Sequence, residues 1–331
     1  MRTYRPLPLA AQTLSAHASE LFKTTRRSFA HTAQMPEQLE AAAAFVTTHA
    51  RILDRHRLRV LLGDDNAPQA LAALEAYSNP DGGYGWGLEP DLRCSESQPG
   101  AALHAFELWA DVGSPGGARA ERLCNWLASQ TLPDGGLPFA LPIADPTGCS
   151  PWWVAADPST SSLQITTAVV ANAHRVATHN PVVAAHPWLR EATRFCLAAI
   201  GGLRSAPPAY VLSFSLRLLD VIADTTPAAA DLVTKLVDYL PTDGVLAVEG
   251  GLDDEAIRPL DYAPEPKTAV RNLLPASSVA ADLARLTDLQ QADGGWPIDW
   301  AVASPAAALD WRGYVTVRTL GVLRRNGQLG R

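Results

Sequence analysis

Leu289-Gln290-Gln291-Ala292-Asp293-Gly294-Gly295-Trp296 reads as a helix end, a tight turn and an aromatic anchor. Upstream, over Val279 to Gln291, the polar residues Asp282, Arg285 and Asp288 alternate with Leu283, Leu286 and Leu289 at helical spacing. That pattern predicts an amphipathic helix with one wet face. Asp-Gly-Gly suits its stop, because glycine accepts a positive φ without a Cβ clash. The triplet recurs as Asp81-Gly82-Gly83 and Asp134-Gly135-Gly136, and in shortened form as Asp243-Gly244. The steps are 53, 109 and 50 residues. The doubled middle step predicts a degenerate copy near 188–202, where Pro187-Trp188 opens a helical run ending at Gly201-Gly202. Such a period fits about six times into the chain.

The helices that follow the turns are drier. Leu163 to Val176 has little charge, and Tyr210 to Ala223 carries only Arg217 and Asp220, which could pair with each other. Half-wet and nearly dry helices in alternation pack economically as an outer and an inner ring; an open solenoid competes with this closed arrangement. No period-2 alternation is long enough to propose a sheet.

Composition narrows the function classes. The chain of 331 residues is 47% apolar and 18% charged, as globular proteins are. Its net charge of −7 argues against a nucleic-acid partner. No run of 18 apolar residues predicts a membrane span, which leaves peripheral membrane contact open. Cys94, Cys124, Cys149 and Cys196 form no C-x-x-C pair and read as buried thiols of a reducing, cytoplasmic compartment. Residues 1–35 carry Arg2, Arg5, Lys23, Arg26 and Arg27 against Glu20 and read as a loose basic extension, with one domain over 36–331.

The turns resemble the repeat of the terpenoid cyclase and protein prenyltransferase α/α-toroid superfamily, in which a Gln and a Trp bracket an Asp-Gly-Gly turn. Gln290 and Trp296 bracket Asp293-Gly294-Gly295; Gln130 precedes Asp134, with Leu137 in the Trp position; Asn79-Pro80-Asp81-Gly82-Gly83-Tyr84 keeps an aromatic but lacks the Gln. The resemblance implies an all-α fold, an (α/α)6 toroid, over about residues 36–331. It also implies that the Gln and Trp tie adjacent helices together. The chain is similar as well to a group of bacterial single-domain toroids sharing Gly87-Leu88-Glu89-Pro90-Asp91-Leu92-Arg93 and Trp311-Arg312-Gly313, a likeness that speaks to architecture more than to chemistry.

What the superfamily could do here is proton-initiated cyclisation or isomerisation of a prenyl substrate in a central cavity. Its cyclases use a D-x-D-D motif, which this chain lacks. Glu89 and Asp91 stand in as candidate proton donors, in one turn with Trp86 and Arg93 that Pro90 stiffens. The alternative reading of that turn is a structural ion pair. Trp153, Trp296, Trp300, Trp311, Asp261, Asp299 and Arg312 are the remaining candidates for binding substrate, the aromatic faces serving to stabilise cations. Asp64-Asp65-Asn66 and Asp253-Asp254 are incomplete metal motifs and read as a cap and a solvated loop. His104 shares a helix face with Glu107 and Asp111 and reads as a satisfied or solvent-facing histidine. No zinc set, metal or cofactor is called for. The expected ligand is a small hydrophobic isoprenoid. A carbohydrate-active enzyme with paired carboxylates and a non-catalytic binding toroid remain as alternatives, and a cavity lined by charges counts against the isoprenoid reading.

Overall fold

Asp81, Asp134 and Asp293 fold their turns alike: each carboxylate accepts the backbone N–H two residues on, at 2.9, 3.1 and 3.0 Å. The middle glycine is left-handed every time, with φ of +94°, +95° and +91° at Gly82, Gly135 and Gly294. The third glycine answers to packing instead. A Cβ on Gly136 would stand 2.6 Å from Ser161 Cβ and from the Phe195 ring. Asp81 and Asp134 also take hydroxyl hydrogen bonds from Ser97 and Ser161, just ahead of the next inner helix. Each turn is thereby pinned to the helix that follows it.

This computed structural model describes residues 37–329, so the extension expected over 1–35 lies outside the described residues. The outer helices are Glu37–His49, Ala67–Leu74, Gly117–Gln130, Pro187–Gly202, Pro227–Val237 and Ala276–Asp288. Each is followed by an inner one: Ile52–Leu61, Pro99–Asp111, Leu163–Ala177, Ala209–Ile222, the short Pro259–Tyr262 and Pro305–Arg325. Pro187–Gly202 is the degenerate copy read from the doubled step. Pro305–Arg325 packs on Glu37–His49 and Ile52–Leu61, so the last pair meets the first and the ring closes. Ion pairs Arg57–Asp111 at 2.7 Å and Arg318–Asp261 at 3.0 Å fasten neighbouring inner elements. The architecture is an all-α toroid and not an open solenoid.

Gln290 and Trp296 do tie helices. Gln290 Nε2 donates to the Gln38 carbonyl at 2.8 Å, and Trp296 Nε1 to the Leu286 carbonyl at 2.7 Å. Two details depart from the pattern. Asp282 faces inward, buried, where its carboxylate accepts the Leu260 N–H at 2.9 Å and the Arg285 guanidinium at 2.8 Å. The fifth inner element is too short to cover that side alone, and a buried carboxylate anchors it. A two-residue antiparallel ladder, Leu246–Ala247 with Ala256–Ile257, also forms in the loop before it. Among the described residues no helix is long and apolar enough to cross a membrane.

Candidate active site

Inside the ring the inner helices enclose a cavity of about 500 Å³ at their N-terminal ends, the end that carries the Asp-Gly turns. A second cavity of about 440 Å³ opens at their C-terminal ends. Glu107, Asn172, Arg217 and Arg318 border both and form a floor between them. Lining residues recur three or four apart, as in Tyr210, Ser213, Phe214 and Arg217, and in Trp311, Tyr314 and Arg318.

Asp91 is buried in the upper wall. Its Oδ2 accepts the Trp311 indole N–H at 2.8 Å, and its Oδ1 accepts the Ser150 hydroxyl at 3.0 Å. The Glu89 carboxylate beside it accepts the Asp91 backbone N–H at 3.1 Å. Burial, then the Glu89 charge, push the Asp91 carboxyl up to about 6, against the pull of the two side-chain hydrogen bonds.

Behind this pair lies a buried ionic chain. His104 Nε2 meets Glu89 Oε2 at 2.9 Å and His104 Nδ1 meets Glu107 Oε2 at 3.1 Å. An imidazole with a carboxylate at each nitrogen is best satisfied as the doubly donating cation. Burial opposes that charge, yet the hydrogen bonds to Glu107 and Glu89 push the histidine up to about 9. Glu107 also accepts the Tyr314 hydroxyl at 2.7 Å. Although burial opposes ionisation, Arg57 and His104 hold its carboxyl far below the usual carboxylate range. The chain thus keeps Glu89 and Glu107 compensated.

The structure brings Glu89, Asp91, Trp153, Asp261, Asp299, Trp300 and Trp311 to one cavity. It places four other candidates elsewhere. Trp86 is 57% exposed in a shallow outer groove, its indole N–H on Asn79, because its backbone turns left-handed there at φ +58°. Arg93 is drawn away by Asp310 at 2.6 Å. Trp296 fills the core between the first and last helices. Arg312 clasps Asp293 at 2.8 Å and lies over Phe45. Nor does Arg217 pair with Asp220, whose carboxylate accepts the Val270 N–H at 2.7 Å instead. Asp253 and Asp254 are exposed as expected, but Glu255 turns inward to accept the Tyr210 hydroxyl at 2.8 Å.

Sequence reasoning gave no role to Tyr314, Tyr210 or Ser150. For the two tyrosines a signal existed: polar-tipped residues at helical spacing on otherwise dry helices. Ser150 sits in an irregular loop with no pattern to mark it.

No protein-family model matches the chain, and no curated protein matches it in sequence. Solved structures do match in shape, among them two of the type II terpene cyclase MstE from Scytonema. One, in complex with merosterolic acid A as product, has a TM-score of 0.56 at 14% identity and covers 87% of this chain and 95% of that one. The other, in complex with geranylgeranyl dihydroxybenzoate as substrate, has a TM-score of 0.50 at 15% identity and covers 87% of this chain and 97% of that one. In fold, the chain is a terpenoid cyclase-like α/α toroid.

Proposed function

We propose that the protein cyclises or isomerises a prenyl substrate in the upper cavity, with Asp91 as the initiating proton donor. The observation that carries this reading is the environment of Asp91. Burial and Glu89 keep its proton on at mildly acidic pH, while Trp311 and Ser150 are already placed to stabilise the carboxylate left behind. The indole N–H can only donate, so Oδ2 remains an acceptor and the transferable proton belongs on Oδ1. Ser150, free to rotate its hydroxyl, adapts to either state. Trp300, Trp311 and Tyr314 stack edge to face along one wall, with ring centroids 5.1–5.3 Å apart, and Phe139 stacks on Trp153 at 4.3 Å on another. Their faces would stabilise a migrating cation.

Charged groups do border the cavity, which weighs against an apolar ligand. Most are neutralised on the wall: Glu89 by His104, Glu107 by His104 and Arg57, Asp261 by Arg318, and Asp299 by Arg258 at 3.4 Å. A filled centre with no perturbed carboxyl, expected of a non-catalytic toroid, is not what is seen.

The carbohydrate reading keeps one supporting observation. Asp299 borders the same cavity as Asp91, and burial together with Asp261 pushes its carboxyl up too, giving two candidate acids. Incubation of the protein with prenyl substrates from C10 to C30, beside an oligosaccharide panel, separates the two. Prenyl products that vanish in Asp91→Asn with the fold intact support the first reading. Sugar release with no prenyl product supports the second.

A further inference from the structure

Arg217 is the cation the ionic chain leaves over. It stands on the inner helix Ala209–Ile222 and borders both cavities. Among the described residues its guanidinium has neither a hydrogen bond nor an ion pair. Glu107, the acid of the floor, is already engaged by His104, Arg57 and Tyr314, and Asp220, three residues on, by the Val270 N–H. Asp261 is held by Arg318 and by the Arg258 N–H. The other floor residue, Asn172, accepts from Arg175 and donates to the Ala168 carbonyl. Burial and the neighbouring Arg318 both act against Arg217's charge. A half-buried guanidinium with no protein partner, open to a cavity, can take a carboxylate or phosphate in its planar fork. One helical turn above it Ser213, buried and bordering the upper cavity, also has a hydroxyl without a partner among the described residues.

We propose that Arg217, with Ser213 above it, receives an anionic head group, a carboxylate or a phosphate, of a substrate that stands head-down in the upper cavity. This rests on the prenyl reading for what the rest of the ligand is. Trp311, which holds Asp91, lies seven residues before Arg318 on its helix, which sets the acid roughly 10 Å above the floor at 1.5 Å per residue. A head held at the floor would therefore direct the far end of the chain toward Asp91. The head group supplies the negative charge that the wall does not spare.

The test is binding, measured by quenching of the cavity tryptophans in the Asp91→Asn background, so that turnover does not enter. The probes are farnesol, farnesoic acid, farnesyl thiolodiphosphate and inorganic pyrophosphate. At least one anionic farnesyl probe should bind about tenfold or more tighter than farnesol, as a charge-assisted pair added to equal apolar contact. The two anionic probes distinguish a carboxylate from a diphosphate head. Arg217→Gln should abolish the advantage and leave farnesol unchanged, and Arg217→Lys should restore part of it. Arg217→Met should also raise the melting midpoint of the ligand-free protein. Equal affinity for charged and neutral farnesyl probes, or an advantage that survives Arg217→Gln, overturns the proposal. If no farnesyl probe binds but pyrophosphate does, dependent on Arg217, the prenyl reading falls and the anion site stands; if pyrophosphate also fails, both fall.

Discussion

Trp311 donates its indole N–H to Asp91 Oδ2 at 2.8 Å across 220 residues of chain. The bond joins the loop of the second helical pair to the inner helix of the sixth. The candidate acid is therefore assembled only when the ring has closed, and its protonation state is a property of the whole toroid.

The first prediction is a pH profile. Asp91 must carry its proton to act, and its carboxyl is pushed up to about 6. kcat/KM on a prenyl substrate should be level at lower pH and fall about tenfold per unit once pH exceeds that value. A profile flat from pH 5 to 8 would remove Asp91 as the acid.

Glu89 should set where that limb lies. Its negative charge helps hold the proton on Asp91, so Glu89→Gln should move the limb to lower pH. The direction is the test: a limb that stays in place, or moves up, contradicts the electrostatic role. Urea denaturation should accompany the assay, because Glu89 also accepts from His104.

Much of the fold was legible because it is written several times. The Asp-Gly turns follow four of the six outer helices, and burial follows from the dryness of what comes next. Even the degenerate copy at Pro187–Gly202 could be placed by spacing alone. The site was legible only in part. Glu89 and Asp91 announced themselves by crowding into one turn, but in that same turn Trp86 is exposed and Arg93 turns to Asp310. A turn residue's direction depends on backbone dihedrals, such as the positive φ of Trp86, that composition does not reveal. Trp296 and Trp311 look alike in sequence and join the same core cluster, yet only Trp311 borders the cavity. The unpaired state of Arg217 was hidden because Asp220, three residues on, looked like its partner, and only the loop bringing in Val270 shows otherwise.

His104 should make stability depend on pH in the alkaline range. Its folded pKa, about 9, lies above its ordinary 6.5, so the folded protein retains a proton that the unfolded chain loses. This contribution is fully present below pH 6.5 and disappears as pH rises through 9. The urea midpoint of the wild type minus that of His104→Gln should narrow over this interval. At pH 6.5 the substitution should cost about 3–5 kcal/mol, since it leaves Glu89 buried without its cation and Glu107 with Arg57 alone. A difference that does not change with pH would mean that the imidazole is neutral.

The turns should matter to stability and not to chemistry. Gly136→Ala brings a methyl group within 2.6 Å of Ser161 and Phe195. It should cost about 1–3 kcal/mol as overpacking, read by chemical denaturation, with the pH profile of any activity unaltered. A shifted profile would show that the Asp134 turn couples to Asp91.

The most direct measurement is isotopic. The protein is incubated in D₂O with the prenyl substrate it accepts, and the product is analysed by mass spectrometry and NMR. Protonation by Asp91 predicts one non-exchangeable deuterium per cyclised molecule at the carbon that receives the initiating proton, and no product from Asp91→Asn. Undiminished turnover by Asp91→Asn, or a product without that deuterium, would contradict it.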